Sequence, residues 1–265
     1  FRTWRGGAGG DGLGGTDVWA IAQAPDGAIW VGTFEGGLNR VDPAQGVVGA
    51  LRHRPGDATS IAGDIVTNLR LDARGRLWVG TIYEPRDPAL AALYCLDETG
   101  RLSRRADGIT VSNGLAWSPD ARTMYWSDTK AHTIYAFDYD PTDGSLGPRR
   151  VFARFEPRGE GQPLECYGGR PDGAAMDAEG CYWVAMFEGA RVLRLSPQGE
   201  VLHELRLPVR CPTMPCFGGA DLRTLYITTA RDKRPAEELA AQPWAGCVLQ
   251  VRVEVPGLAA AACQL

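Results

Sequence analysis

Asp17, Asp64, Asn113 and Asp172 stand where short apolar strands begin in successive copies of one sequence unit. Three carboxylates and an amide are hard oxygen donors, suited to Ca²⁺ and Mg²⁺ and usable by Zn²⁺. If those strands are the inner strands of β-propeller blades, their starts converge on one spot despite wide separation in sequence. A central metal site is then chemically reasonable, with Asp17 or Asp64 completing a shell begun by Asn113 and Asp172. The competing role for Asp17 and Asp64 is to cap the turn before a strand.

Other chemistries fit poorly. His53, His132 and His203 are far apart and none lies near a G-x-S-x-G turn, which argues against a Ser-His-Asp triad. His203 sits in the alternating run V-L-H-E-L-R-L and reads as a solvent-facing strand residue. The seven cysteines include only one close pair, Cys211 and Cys216, so they read as reduced thiols and not as a zinc or disulfide framework. Asp138, Asp140 and Asp143 in D-Y-D-P-T-D-G lack the remaining ligands of a calcium loop and read as a hairpin turn. The glycines of residues 6–15 are not followed by G-K-[ST], so they form no phosphate loop and read as a flexible connection.

The elements that must position these residues are repetitive. W-V-G-T begins at Trp30 and again at Trp78, 48 residues on. Related strand–turn–strand segments follow at 113–129, 171–186 and 217–230, each leading into further strands such as A-L-Y-C-L-D, T-I-Y-A-F-D-Y and C-V-L-Q-V-R-V. Units of about 45 to 60 residues fall within the range of propeller blades. The reading is an all-β protein: a single closed β-propeller of four-stranded blades spanning 1–265. Five blades begin near Asp17, Asp64, Asn113, Asp172 and Cys216, and six is the alternative. Phe1–Arg5 would supply a strand that completes the last blade, and Ala236–Ala241 one helical turn. A net charge of −4, with scattered positive residues, leaves no footprint for nucleic acid. No apolar stretch is long enough for a membrane span. No signal peptide is read at the start, so the expectation is cytoplasmic, and a closed propeller needs no partner to cover an edge, so the expectation is a monomer.

Residues 82–258 resemble the senescence marker protein and gluconolactonase family, also called regucalcin-like. The resemblance rests on V-S-N-G-L-A-W-S-P-D (111–120), I-Y-A-F-D-Y-D (134–140), R-P-D-G-A-A-M-D-A-E-G-C-Y-W-V-A (170–185), R-V-L-R-L-S-P-Q-G (191–199) and P-T-M-P-C-F-G-G-A-D-L-R-T-L-Y-I-T-T-A-R (212–231). It implies a six-bladed, calcium- or zinc-dependent lactone hydrolase. By motif, Asn113 and Asp172 match metal-binding residues, and Asp172 also matches the general base for water attack on the lactone carbonyl. Glu84 lies near an acidic position that lines the family's substrate pocket. Residues 1–81, through W-V-G-T-F-E-G-G-L-N-R-V-D-P, R-H-R-P-G-D-A-T-S-I-A-G-D-I-V and G-R-L-W-V-G-T, are instead similar to two-component regulator propeller repeats. The chain therefore reads as a hybrid of two lineages, natural or engineered.

The departures from the lactonase pattern matter. The family's third protein ligand is a glutamate, and at its spacing from Val18 and Trp19 this chain has Gly15. The substrate-contacting R-x-N-D-G is replaced by I-V-T-N-L around Asn68. Losing one of three ligands weakens metal binding, so the expectation is a partial site with a small lactone as ligand and with weak or absent activity. The alternatives are a non-catalytic propeller scaffold and a ligand-sensing module.

Overall fold

The structure, a computed structural model, describes residues 12–57, 59–84 and 86–258. The fold is all-β, built of five propeller blades, four with four strands and one with three among the described residues. Each blade is a meander whose sequence neighbours pair side by side. They are β1–β4 (Val18–Gln23, Ile29–Thr33, Leu38–Asp42, Gly46–Leu51), β5–β8 (Ile65–Leu71, Leu77–Ile82, Ala91–Leu96, Leu102–Ile109), β9–β12 (Ser112–Trp117, Thr123–Asp128, Thr133–Asp138, Arg150–Arg154), β13–β16 (Arg170–Met176, Tyr182–Phe187, Arg191–Leu195, Val201–Arg206) and β17–β19 (Pro212–Gly218, Thr224–Thr229, Val248–Arg252). The single α1 turn is Ala236–Ala241, where it was expected. The strand expected at Phe1–Arg5 lies outside the described residues, and β19 has no fourth partner among those described.

Two compact units emerge from the packing. The first takes in residues 12–112 with 140–146, and the second residues 113–139 with 147–258. In the first, Leu38, Val66, Leu69, Leu77, Val79, Ala92 and Tyr94 form the core. In the second, Tyr125, Ile134 and Ala136 of one sheet meet Ala174, Tyr182, Val184, Met186 and Leu193 of the next. The middle strands are covered on both faces, so they read as continuous apolar runs such as Y-W-V-A-M instead of alternating. The last strands are more exposed than the middle ones, and His203 on β16 is solvent-facing, as its alternating run indicated.

The fifth blade begins at Pro212, not near Cys216, which lies in the middle of β17. Pro212 and Pro215 argue against a strand in sequence, but β17 pairs on one side only, where a missing N–H costs no ladder bond. The segment D-Y-D-P-T-D-G is a turn, as expected: Asp140 accepts from the Thr142 N–H at 2.7 Å and Asp143 from the Ser145 N–H at 2.8 Å. All six described cysteines are free thiols.

One polar device recurs in both units. Asp177, fully buried, accepts from the backbone N–H of Glu179 (3.0 Å) and Cys181 (2.9 Å), from the Trp183 indole N–H (2.9 Å) and from Arg194 Nε (2.7 Å). Asp72 makes the same pattern with the backbone of Arg74 and Arg76, with the Trp78 indole and with Arg76 Nε. Asp26, at the matching turn of the first blade, pairs with Arg40 at 2.7 Å but is 57% exposed. Removing one member of a buried pair strands the other, whereas an exposed pair contributes little. We expect Asp177→Ala to cost about 3–5 kcal/mol and Asp26→Ala under about 1 kcal/mol in urea unfolding; equal losses would contradict this assignment.

Candidate active site

The first strand of each meander pairs on one side only, and in four sheets its register with the second strand slips near its start. Val18 and Ala20 pair with Thr33 and Gly32, leaving Trp19 extra. In the same way Thr67 is extra in β5 and Thr213 in β17, and in β13 the slip falls between Pro171 and Ala174, at Asp172 and Gly173. Such a bulge bends the strand and re-aims a side chain out of the pleat. In β9 the matching dipeptide is Asn113–Gly114, with Gly114 at φ +57. A Cβ on Gly114 would lie 2.6 Å from Ser127 Oγ and 3.1 Å from the Asp172 carbonyl oxygen, so only glycine allows this approach. The same contact brings β9 and β13 together at Asn113 and Asp172.

The two side chains are held differently. Asn113 Nδ2 donates to Thr129 Oγ1 at 2.9 Å, and its amide oxygen is then the atom suited to a hard cation. Asp172 is pressed into protein on most sides, and burial pushes its carboxyl up from 3.8 to about 7; the Arg170 guanidinium and the Gly173 N–H offset part of that rise. Arg170 pairs with Glu188 at 3.2 Å and lies over the Phe187 ring at 5.3 Å, while Glu188 also accepts from Arg234 at 3.1 Å. A carboxyl that titrates near neutrality, with a cation close by, is poised to take a proton from water.

The other candidates lie in the first unit and are engaged there. Asp17 is exposed just before β1, and its carbonyl accepts from Phe34 N at 2.9 Å. Asp64 Oδ1 accepts from the His53 N–H at 2.6 Å, and its carbonyl from Gly37 N at 2.8 Å, so it ties two loops together. Their sheets offer Trp19 and Thr67 at the bulge, two and three residues later. Glu84 is exposed and pairs with Arg86 at 2.6 Å. Gly15 has no room for a larger residue: a Cβ there would run into the Phe34 carbonyl. Among the described residues no group of three or more His, Cys, Asp or Glu side chains is placed to hold a metal. A cavity of about 160 Å³ in the first unit, bordered by Arg52, Arg54 and Ser60, contains none of the candidates. Sequence reasoning missed Thr129 and Arg170; the second was signalled by the arginine of R-P-D-G, two residues before Asp172.

Fold and site together describe a propeller-blade protein with an amide and a carboxylate on neighbouring first strands. Residues 20–231 match the SMP-30/gluconolactonase/LRE-like region. A 6-deoxy-6-sulfogluconolactonase of Pseudomonas putida is 40% identical over 93% of this chain and 93% of its own. The regucalcin of Danio rerio is 42% identical over 69% of this chain and 60% of its own. A calcium-binding regucalcin from Agrobacterium tumefaciens superposes with a TM-score of 0.78 at 24% identity, covering 92% of this chain and 78% of that one. A Xanthomonas campestris gluconolactonase gives a TM-score of 0.65 at 23% identity, covering 91% of this chain and 72% of that one. The chain belongs to the SMP-30/gluconolactonase/LRE-like family. That match runs through residues 20–81, and the comparisons give no regulator-propeller segment and no sign of a hybrid. No helix among the described residues is long and apolar enough to cross a membrane.

The raised Asp172 pKa has a stability signature. The folded group holds its proton up to about pH 7 while the unfolded group loses it near 3.8. The unfolded state therefore binds fewer protons between those values, and stability falls as pH rises through that window, by up to about 1.4 kcal/mol per unit. In chelator-treated protein, Asp172→Asn removes this loss, so its stability relative to the parent should climb from pH 4 to pH 7.5 in urea titrations. A flat difference would show that the carboxyl is not raised.

Proposed function

We propose that this protein hydrolyses a sugar-acid lactone, with Asp172 as general base and Asn113 beside it. The observation that carries the reading is a desolvated carboxyl, titrating at about 7, whose strand abuts that of Asn113 in a chain of the gluconolactonase family. Asp172 accepts a proton from water as the water oxygen attacks the lactone carbonyl carbon. When the ring C–O bond breaks, the same carboxyl returns the proton to the departing ring oxygen, leaving the open-chain acid. Burial suits Asp172 to both steps, because its two protonation states are close in free energy at neutral pH.

The oxygens of Asn113 and Asp172 fit a hard divalent cation by type, Ca²⁺ or Zn²⁺. When bound, such a cation would supply Lewis-acid stabilisation of charge on the carbonyl oxygen. Thr129 orients the Asn113 amide for that role. For substrate, the relative 40% identical to this chain is described as acting on a gluconolactone with a sulfonate at C6, an anion. A six-carbon aldonolactone with an anionic C6 group is therefore the substrate class we favour. The expectation of weak or absent activity rested on Gly15, and the family comparisons lend it no support.

The test is hydrolysis of gluconolactone and its 6-deoxy-6-sulfo analogue with added Ca²⁺ or Zn²⁺, or with chelator, after subtracting spontaneous opening. Asp172→Asn should lose about 10²–10⁴-fold in kcat, with Asn113→Ala losing less and needing more cation. A rate that survives Asp172→Asn would refute the assignment.

A further inference from the structure

His132 and Tyr167 are both buried, and His132 Nε2 lies 2.6 Å from Tyr167 Oη. The other ring nitrogen, Nδ1, lies 3.1 Å from the Lys130 carbonyl oxygen. A carbonyl can only accept, so Nδ1 carries the proton, Nε2 is the acceptor and the tyrosine hydroxyl donates to it. Burial favours the neutral ring, consistent with the lowered pKa of His132. Nothing in the chemistry of lactone opening uses this pair.

Its place in the chain is informative. His132 closes the turn between β10 and β11 in the left-handed region, at φ +52, an uncommon conformation for a residue other than glycine. The turn is held by Asp128 Oδ1, which accepts from Lys130 N at 3.1 Å, and by His132 N donating to the Thr129 carbonyl at 3.3 Å. Thr129, three residues before His132, is the residue whose hydroxyl accepts from Asn113. Tyr167 ends the short 3-10 turn Leu164–Cys166, five residues before Asp172. Between them, Gly169 at φ +84 has no room for a Cβ against Gly189 and Phe187, and the Gly168 carbonyl accepts from Arg191 Nε at 2.9 Å. The backbone from Tyr167 to β13 is thus short and tightly constrained.

We propose that the Tyr167–His132 hydrogen bond is a positioning device: it joins the turn that orients Asn113, through Thr129, to the segment that leads into Asp172, and so sets the spacing of the two site residues. Both are positioning residues, since neither touches the reacting atoms. The inference rests on the lactonase reading for its kinetic consequence but not for its structural one.

Tyr167→Phe deletes one oxygen and keeps the ring. It should lower kcat about 10-fold or more with KM changed less than 2-fold, because misplacing the pair costs turnover before it costs binding. Thr129→Val, which cuts the same chain at its other end, should give a similar deficit, and the double variant should be little worse than either single one. Independently of any turnover, the side-chain NH₂ resonances of Asn113, assigned from their loss in Asn113→Ala, should shift and exchange faster in Tyr167→Phe. A variant that loses thermal stability while kcat and the Asn113 resonances stay as in the parent overturns the proposal. If the parent protein opens no lactone, the lactonase reading fails, and the Asn113 resonances alone decide the positioning role. Should Tyr167→Phe fail to fold, Thr129→Val with His132→Asn, a residue that tolerates the left-handed region, serves the same comparison.

Discussion

A carboxylate buried beneath the first hairpin of a blade, with N–H donors filling its acceptor sites, is the interaction on which the rest of this architecture depends. Asp177 and Asp72 each gather two backbone amides, a tryptophan indole and an arginine. A charge so buried is tolerable only when its lone pairs are used, so the turn and the second strand must be in register at once, and for Asp177 the third strand as well, through Arg194. With register set at the closed end of the hairpin, the mismatch accumulates at the open end, where the first strand bulges. Asp172 lies at one of these bulges.

The two units run the same meander with different chemistry. Near the start of the first strand, the second unit presents Asn113 and Asp172, each followed by a glycine that lets neighbouring strands approach. The first unit presents Trp19, stacked on Phe34 at 5.3 Å, and Thr67, whose hydroxyl donates to the Ser112 carbonyl at 2.8 Å. Blade geometry repeats because it is fixed by burial, reinforced in two of the blades by the aspartate anchor. Function does not repeat, because the bulge side chain takes no part in either.

This division explains what could be read from sequence. The D-A-R-G-R-L-W and D-A-E-G-C-Y-W segments announce the hairpin because aspartate, glycine and tryptophan each do one local job there. The blades were legible for that reason, and the helical turn from its helix-period spacing. Asn113 and Asp172 were legible because they stand where strands of the repeated unit begin, and because long motifs surround them. The phase of the first-unit candidates was not: Asp17 and Asp64 head their strands in sequence, but without a following glycine nothing local shows that the bulge lies two or three residues on. Nor was the bond between His132 and Tyr167, since it depends on a pairing between segments that no local pattern encodes. The start of β17 was hidden by prolines that an edge strand tolerates.

The turn that His132 closes also carries Lys130, exposed, in a chain with only one other lysine, Lys233. Arginine supplies the remaining positive charge. An amine-selective reagent therefore has very few side-chain targets, one of them two residues from His132. A dye or spin label placed there would report local motion of that turn without an engineered cysteine, and surface attachment through amines would tether the protein close to the very segment that orients Asn113.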